Sequence, residues 1–137
     1  MLTARLARVV SLAVVALVAA GCTGPGLPKL GLVSGTVTLD GAPYPNAHVT
    51  FTPAQGRPSE GMTDSNGKYE LTFMPEVKGA QLGEHTVSIT THYQAPENPG
   101  SEPQFKEPLP PKYNVQSTLK QTVASGPNEF NFALTSK

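Results

Sequence analysis

Hydrophobic and polar positions alternate along most of this chain with a period of two. Val33, Gly35, Val37 and Leu39 share one parity, and Ser34, Thr36 and Thr38 take the other. Ala47, Val49 and Phe51 alternate in the same way with His48, Thr50 and Thr52. Tyr69, Leu71 and Phe73 do so with Lys68, Glu70 and Thr72. Val87 and Ile89, joined by His85, oppose Glu84, Thr86, Ser88 and Thr90. Two late sets follow: Leu119, Gln121 and Val123, then Phe130, Phe132 and Leu134. This is the period of a strand with one buried face. The pattern predicts an all-β domain of about seven short strands folded as a Greek-key β-sandwich.

Turn chemistry separates these runs. Asp40-Gly41 closes the first strand, and Pro53 ends the second. Pro43 and Pro45 suit an extended connection and are barred from a central ladder position. Asn66-Gly67 is a strong hairpin signal, because both residue types accept positive φ. Asp64, two residues earlier, is placed to fold its carboxylate onto turn amides. Asp64, Asn66 and Gly67 are therefore assigned to the fold as a structural turn, and residues 62–73 are expected to form a hairpin.

The first 21 residues break the alternation. Arg5 and Arg8 form a positive head, and residues 9–20 are an apolar run interrupted only by Ser11. That run is shorter than the ~20 residues a membrane-spanning helix needs. It has the layout of a secretory signal. Ala19-Ala20-Gly21 then leads into Cys22, the sole cysteine. This junction resembles the lipobox of bacterial lipoproteins, although a larger aliphatic residue is more usual in place of Ala19. The resemblance implies palmitate-type acyl chains on Cys22 and a membrane partner held through them. Several acyl chains anchor stably where one is marginal. Residues 1–21 are read as the signal peptide, 22–31 as a lipidated Gly/Pro tether, and 32–137 as the domain. Thr23, rather than aspartate, follows the cysteine, so outer-membrane attachment is favoured over inner.

Charge and cysteine usage narrow the rest. Without Arg5 and Arg8, eight of the ten basic residues remain against ten acidic ones, a net charge of about −2. Nucleic-acid binding, which uses a basic face, is not expected. With its one cysteine acylated the domain can form no internal disulfide, so an ordinary β core must hold it. There is no tryptophan and no cysteine pair, so immunoglobulin hallmarks are missing.

Three segments together carry a family resemblance: Gly35-Thr36-Val37-Thr38-Leu39-Asp40-Gly41, Pro45-Asn46-Ala47-His48-Val49-Thr50-Phe51-Thr52-Pro53, and Thr63-Asp64-Ser65-Asn66-Gly67-Lys68-Tyr69-Glu70-Leu71. They resemble the carboxypeptidase regulatory-like domains, whose fold is a transthyretin-like (prealbumin-like) sandwich. Gly83-Glu84-His85-Thr86-Val87-Ser88-Ile89 and Pro111-Lys112-Tyr113-Asn114 are similar to small lipoproteins of the planctomycete type. The likeness spans residues 33–134 and implies a fold, not an activity.

Enzyme signatures known on related folds are not matched. The chain ends Phe132-Ala133-Leu134-Thr135-Ser136-Lys137, unlike the Tyr-Arg-Gly-Ser ending of the transthyretin-related hydrolases. His48, His85 and His92 are scattered, with His48 and His85 on opposed parities, so no metal site, cofactor or catalytic residue is expected. Asp64 cannot open an EF-hand loop, since Tyr69 and Pro75 stand where glycine and glutamate are required.

Residues 94–112 are the most suggestive stretch for binding, with six prolines in nineteen residues. Structureless loops of this length are uncommon in compact domains, and proline favours extended polyproline II. The preferred reading is a crossover between the sheets with Phe105 or Leu109 tucked against the core. The alternative is a partner-binding arm carrying Phe105, Leu109 and Tyr113. The expected function is a non-catalytic binding or structural module of the cell envelope, extracytoplasmic and lipid-anchored, with an envelope protein or a glycan as partner. Tyr44, Tyr93 and Tyr113 are the candidates for a carbohydrate-binding platform. A hydrolase with an unrecognised site, drawing on His48, His85 or His92, is the remaining alternative.

Overall fold

The computed structural model describes residues 26–95, 97, 98, 100 and 105–137. Twelve strand segments lie among them, with one 3₁₀ turn at Pro111–Tyr113. β1 (Leu30–Leu39) is the axis of the first sheet. The segments β11 (Gly126–Glu129) and β12 (Phe132–Leu134) run parallel to it along one side. Three short antiparallel pieces line the other side: β2 (Ala42–Pro43), β5 (Lys68–Glu70) and β8 (Ala80–Gln81). The second sheet runs β10 (Leu119–Val123), β9 (Gly83–Thr91), β3 (Ala47–Pro53), β4 (Ser59–Met62), β6 (Thr72–Met74), β7 (Val77–Lys78). Within it β3, β4 and β6 are successive neighbours, and β9 returns to lie beside β3. That order is a Greek key.

The alternation places the core as the residue pattern requires. Val33 and Val37 of β1 face Val49 and Phe51 of β3, and Val87 and Ile89 of β9, all essentially inaccessible to water. Phe51 also meets Phe130 and Phe132 of the opposite sheet, with ring centroids 5.9 and 6.3 Å apart. The outer face of the second sheet carries the polar parity, with His48, Thr50 and Thr52 opposite Thr90, Ser88 and Thr86.

Two boundaries differ from expectation. β1 starts at Leu30, two residues inside the segment read as tether, because Leu30 and Gly31 find antiparallel partners in Gln81 and Ala80. The Asn66-Gly67 turn does not close a hairpin within one sheet. β4 before it pairs with β3 and β6, while β5 after it pairs with β1. The strand then changes sheet again at Leu71, whose amide donates to the Val33 carbonyl before β6 rejoins the second sheet. One run of alternating residues, 68–74, thus serves both sheets, and its buried parity of Tyr69, Leu71 and Phe73 stays inward throughout.

The side-by-side register of β1 with 126–134 is unbroken, with Ser34 opposite Glu129 and Val37 opposite Phe132, yet its hydrogen bonding lapses between the two segments. The Phe130 carbonyl leaves the ladder and accepts from the Tyr69 hydroxyl at 2.6 Å. Asn131 fills the gap, its Oδ1 accepting from the Thr36 amide at 2.9 Å. Gly35 makes this possible, since a Cβ there would lie 1.9 Å from the Phe130 oxygen.

Candidate functional site

The registers give the sandwich two distinct poles. β1 enters at Leu30 and, along its length of about 33 Å, ends at Leu39 near the C-terminal residues. The turns before β4, before β9 and before β11 gather at the entry pole. The 64–67 turn, the 40–46 connection and the start of the proline-rich segment gather at the far pole.

At the far pole, Asp64 behaves as its sequence position predicts. Its Oδ1 accepts from the Asn66 amide at 2.8 Å and the Lys68 amide at 3.0 Å. The Lys68 and Asn66 amides, in that order, hold its carboxyl below the usual carboxylate range. Gly67 has φ +74° and Asn66 is not left-handed. Gly67 donates to the Asp64 carbonyl at 2.9 Å. Only one residue of the pair therefore needs positive φ, the pattern of a type I turn closed by a left-handed glycine.

The proline-rich segment divides. Its returning half is built into the domain: Leu109 is 2 % exposed and Tyr113 is 9 % exposed, both within the core cluster. Tyr113 is also tied by its hydroxyl to Thr135, which donates its amide at 3.0 Å. The hydroxyl of Thr135 and its amide draw the Tyr113 pKa below the usual phenol value. Glu107 pins the return, its carboxylate accepting from the Thr91 amide, the Thr91 hydroxyl and the Leu109 amide. Tyr44 extends the network through its hydroxyl, 2.7 Å from Thr91 Oγ1. Leu109 and Tyr113 are thus core residues rather than exposed contacts of an arm, and the Tyr113 ring is not displayed as a surface platform. Phe105 remains outside at 40 % exposure, stacked on Tyr93 with centroids 4.4 Å apart and planes 16° from parallel.

The histidines do not assemble. His85 is buried, and its Nε2–H donates to the Gln81 carbonyl at 2.7 Å while its ring packs on Phe51. His48 lies on the outer face 3.6 Å from Glu60, and His92 is exposed at the end of β9. Among the described residues no three His, Cys, Asp or Glu side chains are placed to hold a metal ion. No helix there is long and apolar enough to cross a membrane. Cys22 lies outside the described residues.

One feature escaped the residue pattern: a depression of about 610 Å³ beside β1 and β5, lined by Ser34, Thr36, Met62, Lys68, Glu70 and Lys78 among others. Residues from β1, β5 and β7 meet there only because the chain switches sheets at Leu71. Lys78 pairs with Glu70 at 2.9 Å, and Glu129 accepts from the neutral Asn131 carboxamide at 3.1 Å. The buried Tyr69 hydroxyl has its pKa raised by burial, then by Glu129 nearby. The arrangement supplies polar contacts but no paired nucleophile and base.

No protein-family model matches the chain, and no curated protein matches it. Among solved structures, the chain is similar to the crystal structure of a DUF3823 family protein from Parabacteroides merdae, at 14% identity and a TM-score of 0.45. The likeness covers 80% of this chain and 47% of that one, so this chain spans about half the length of the protein it matches.

Proposed function

We propose that this chain is a non-catalytic lipoprotein of the bacterial cell envelope, a transthyretin-like module of the carboxypeptidase regulatory-like kind held by acyl chains on Cys22. One observation carries the reading: the chain enters the sandwich at one pole and its proline-rich loop leaves from the other. β1 begins eight residues after Cys22, and the loop follows β9, whose end pairs with Ala47 at the far pole. A domain tethered in this way holds its loop outward from the membrane, where an envelope protein can reach it. Outer-membrane attachment is favoured over inner. Cross-linking on intact cells is expected to join Lys106, on this loop, to one recurrent envelope protein. Hydrolysis of a screened substrate, abolished by replacing His48, His85 or His92, would contradict the non-catalytic reading.

The Tyr93–Phe105 stack favours a second reading, glycan binding. The stacked pair is part-exposed, at 42 % for Tyr93 and 40 % for Phe105, and offers an apolar aromatic surface. Affinity electrophoresis in envelope polysaccharide gels checks it: retardation lost in Tyr93→Ala supports it, and equal mobility of the two proteins counts against it.

A further inference from the structure

The entry pole has a composition unlike the rest of the molecule. Four stretches meet there: 26–32 leading into β1, 54–58 between β3 and β4, 79–83 before β9, and 123–127 between β10 and β11. Their proximity follows from the registers, with Gly31 opposite both Ala80 and Gly126, and Val123 opposite Gly83. The Leu82 amide donates to the Lys29 carbonyl at 3.2 Å. Gly56 packs so close to the Gln81 side chain that a Cβ would sit 2.3 Å from its Oε1. The four stretches contain no carboxylate, and their two charged residues, Lys29 and Arg57, are both cations. Glu84, Glu60 and Glu129 are the nearest acids along the chain, just beyond these stretches, and Glu60 lines a shallow depression together with Arg57. Leu27, Leu32 and Leu82 are exposed there by 57, 54 and 38 %. Three leucines left in water, with two cations and no acid in the same stretches, form the kind of apolar patch that marks an interaction surface.

We infer that this pole rests on the bilayer, with Leu27, Leu32 and Leu82 at the headgroup–acyl boundary and Lys29 and Arg57 among lipid phosphates. The inference rests on the lipid-anchored reading and adds an orientation to it. Chain length argues for the occupant. From Cys22 to Leu30 there are eight residue steps, about 28 Å even when fully extended. Leu30, at the apolar pole, is therefore never more than this distance from Cys22, and the chain attaches the domain by that pole. A single further apolar contact adds to anchoring because each buried methylene contributes about 0.8 kcal/mol. The opposite pole, with its 64–67 turn and the Tyr93–Phe105 stack, then points outward.

The test uses full-length protein made in a bacterium that processes lipoproteins, its acylation checked by mass, in phosphatidylethanolamine–phosphatidylglycerol vesicles. An environment-sensitive dye is placed by Ser125→Cys at the entry pole or by Ser65→Cys at the far pole. Both serines are exposed, and neither substitution removes a leucine. The expected result is a blue shift and quenching by lipid-borne quencher at position 125 only, with both lost when Leu27→Ser and Leu82→Ser are added. Acylated protein in which both positions stay equally open to an aqueous quencher overturns the orientation while leaving the anchor intact. Protection of position 125 from aqueous and lipid-borne quenchers alike would mean that another protein covers the pole, and also overturns it. An unacylated product removes the anchor, and the orientation with it.

Discussion

Gly35, Tyr69 and Asn131 form a unit around the Phe130 carbonyl in which each side chain, or its absence, serves the others. The missing side chain at Gly35 lets the Phe130 carbonyl turn inward, the Tyr69 hydroxyl donates to it, and Asn131 Oδ1 replaces it as the acceptor for the Thr36 amide. Tyr69→Phe leaves that carbonyl without its donor, which costs about 1–3 kcal/mol. Denaturant unfolding should show a lowered midpoint with unchanged slope. Asp64 is a different case, because its contribution depends on charge. Its folded-state pKa is depressed by the Lys68 and Asn66 amides, whereas an unfolded aspartate titrates near ~3.9. The carboxylate therefore stabilises the fold fully above that value, and the contribution is lost as pH falls through the lower folded-state pKa. Asp64→Ala should melt below the wild type at neutral pH, and the difference should shrink as acid is added below about pH 4. A melting difference constant across that range would contradict the assignment.

Between elements, the buried parity was legible in the residues and the pairing was not. Val49, Phe51, Val87 and Ile89 are inward as their period of two requires, since a strand's side chains alternate whatever its neighbour. Which strand neighbours which depends on contacts far apart in sequence. Nothing local distinguishes 68–74 from a single strand, although Leu71 divides it between two sheets. Nothing local shows that 126–134 lies parallel to β1. The proline-rich segment follows the same logic. Its length and prolines signal a long connection, but only packing reveals that Leu109 and Tyr113 are core while Phe105 is surface. Leu109→Ala is expected to cost about 2–5 kcal/mol. Phe105→Ala, losing one stacked partner at the surface, should cost about 1 kcal/mol or less. Equal losses in thermal or chemical melts would mean that the segment is not divided in this way.

For the whole molecule, the sandwich is a two-ended object with exposed leucines at its entry and a far end built of turns, hydroxyls and a stacked aromatic pair. A leader followed by a lone cysteine suggested an address, and the alternation that followed it suggested a β-sandwich. The poles became visible only when the registers fixed which turns share an end. The depression beside β1 was hidden for the same reason, since Ser34, Glu70 and Lys78 come together through the sheet switch rather than through any motif. The envelope role and the orientation of the two poles both depend on how the domain is attached. The most direct test is the mass of the N-terminal peptide of the mature protein made in a lipoprotein-processing bacterium, with and without an inhibitor of lipoprotein signal peptidase. A lipid-anchored protein yields a peptide starting at Cys22 and carrying acyl mass, replaced under the inhibitor by a precursor that retains residues 1–21. A mature start at another residue, or an unmodified Cys22 thiol, would contradict that attachment.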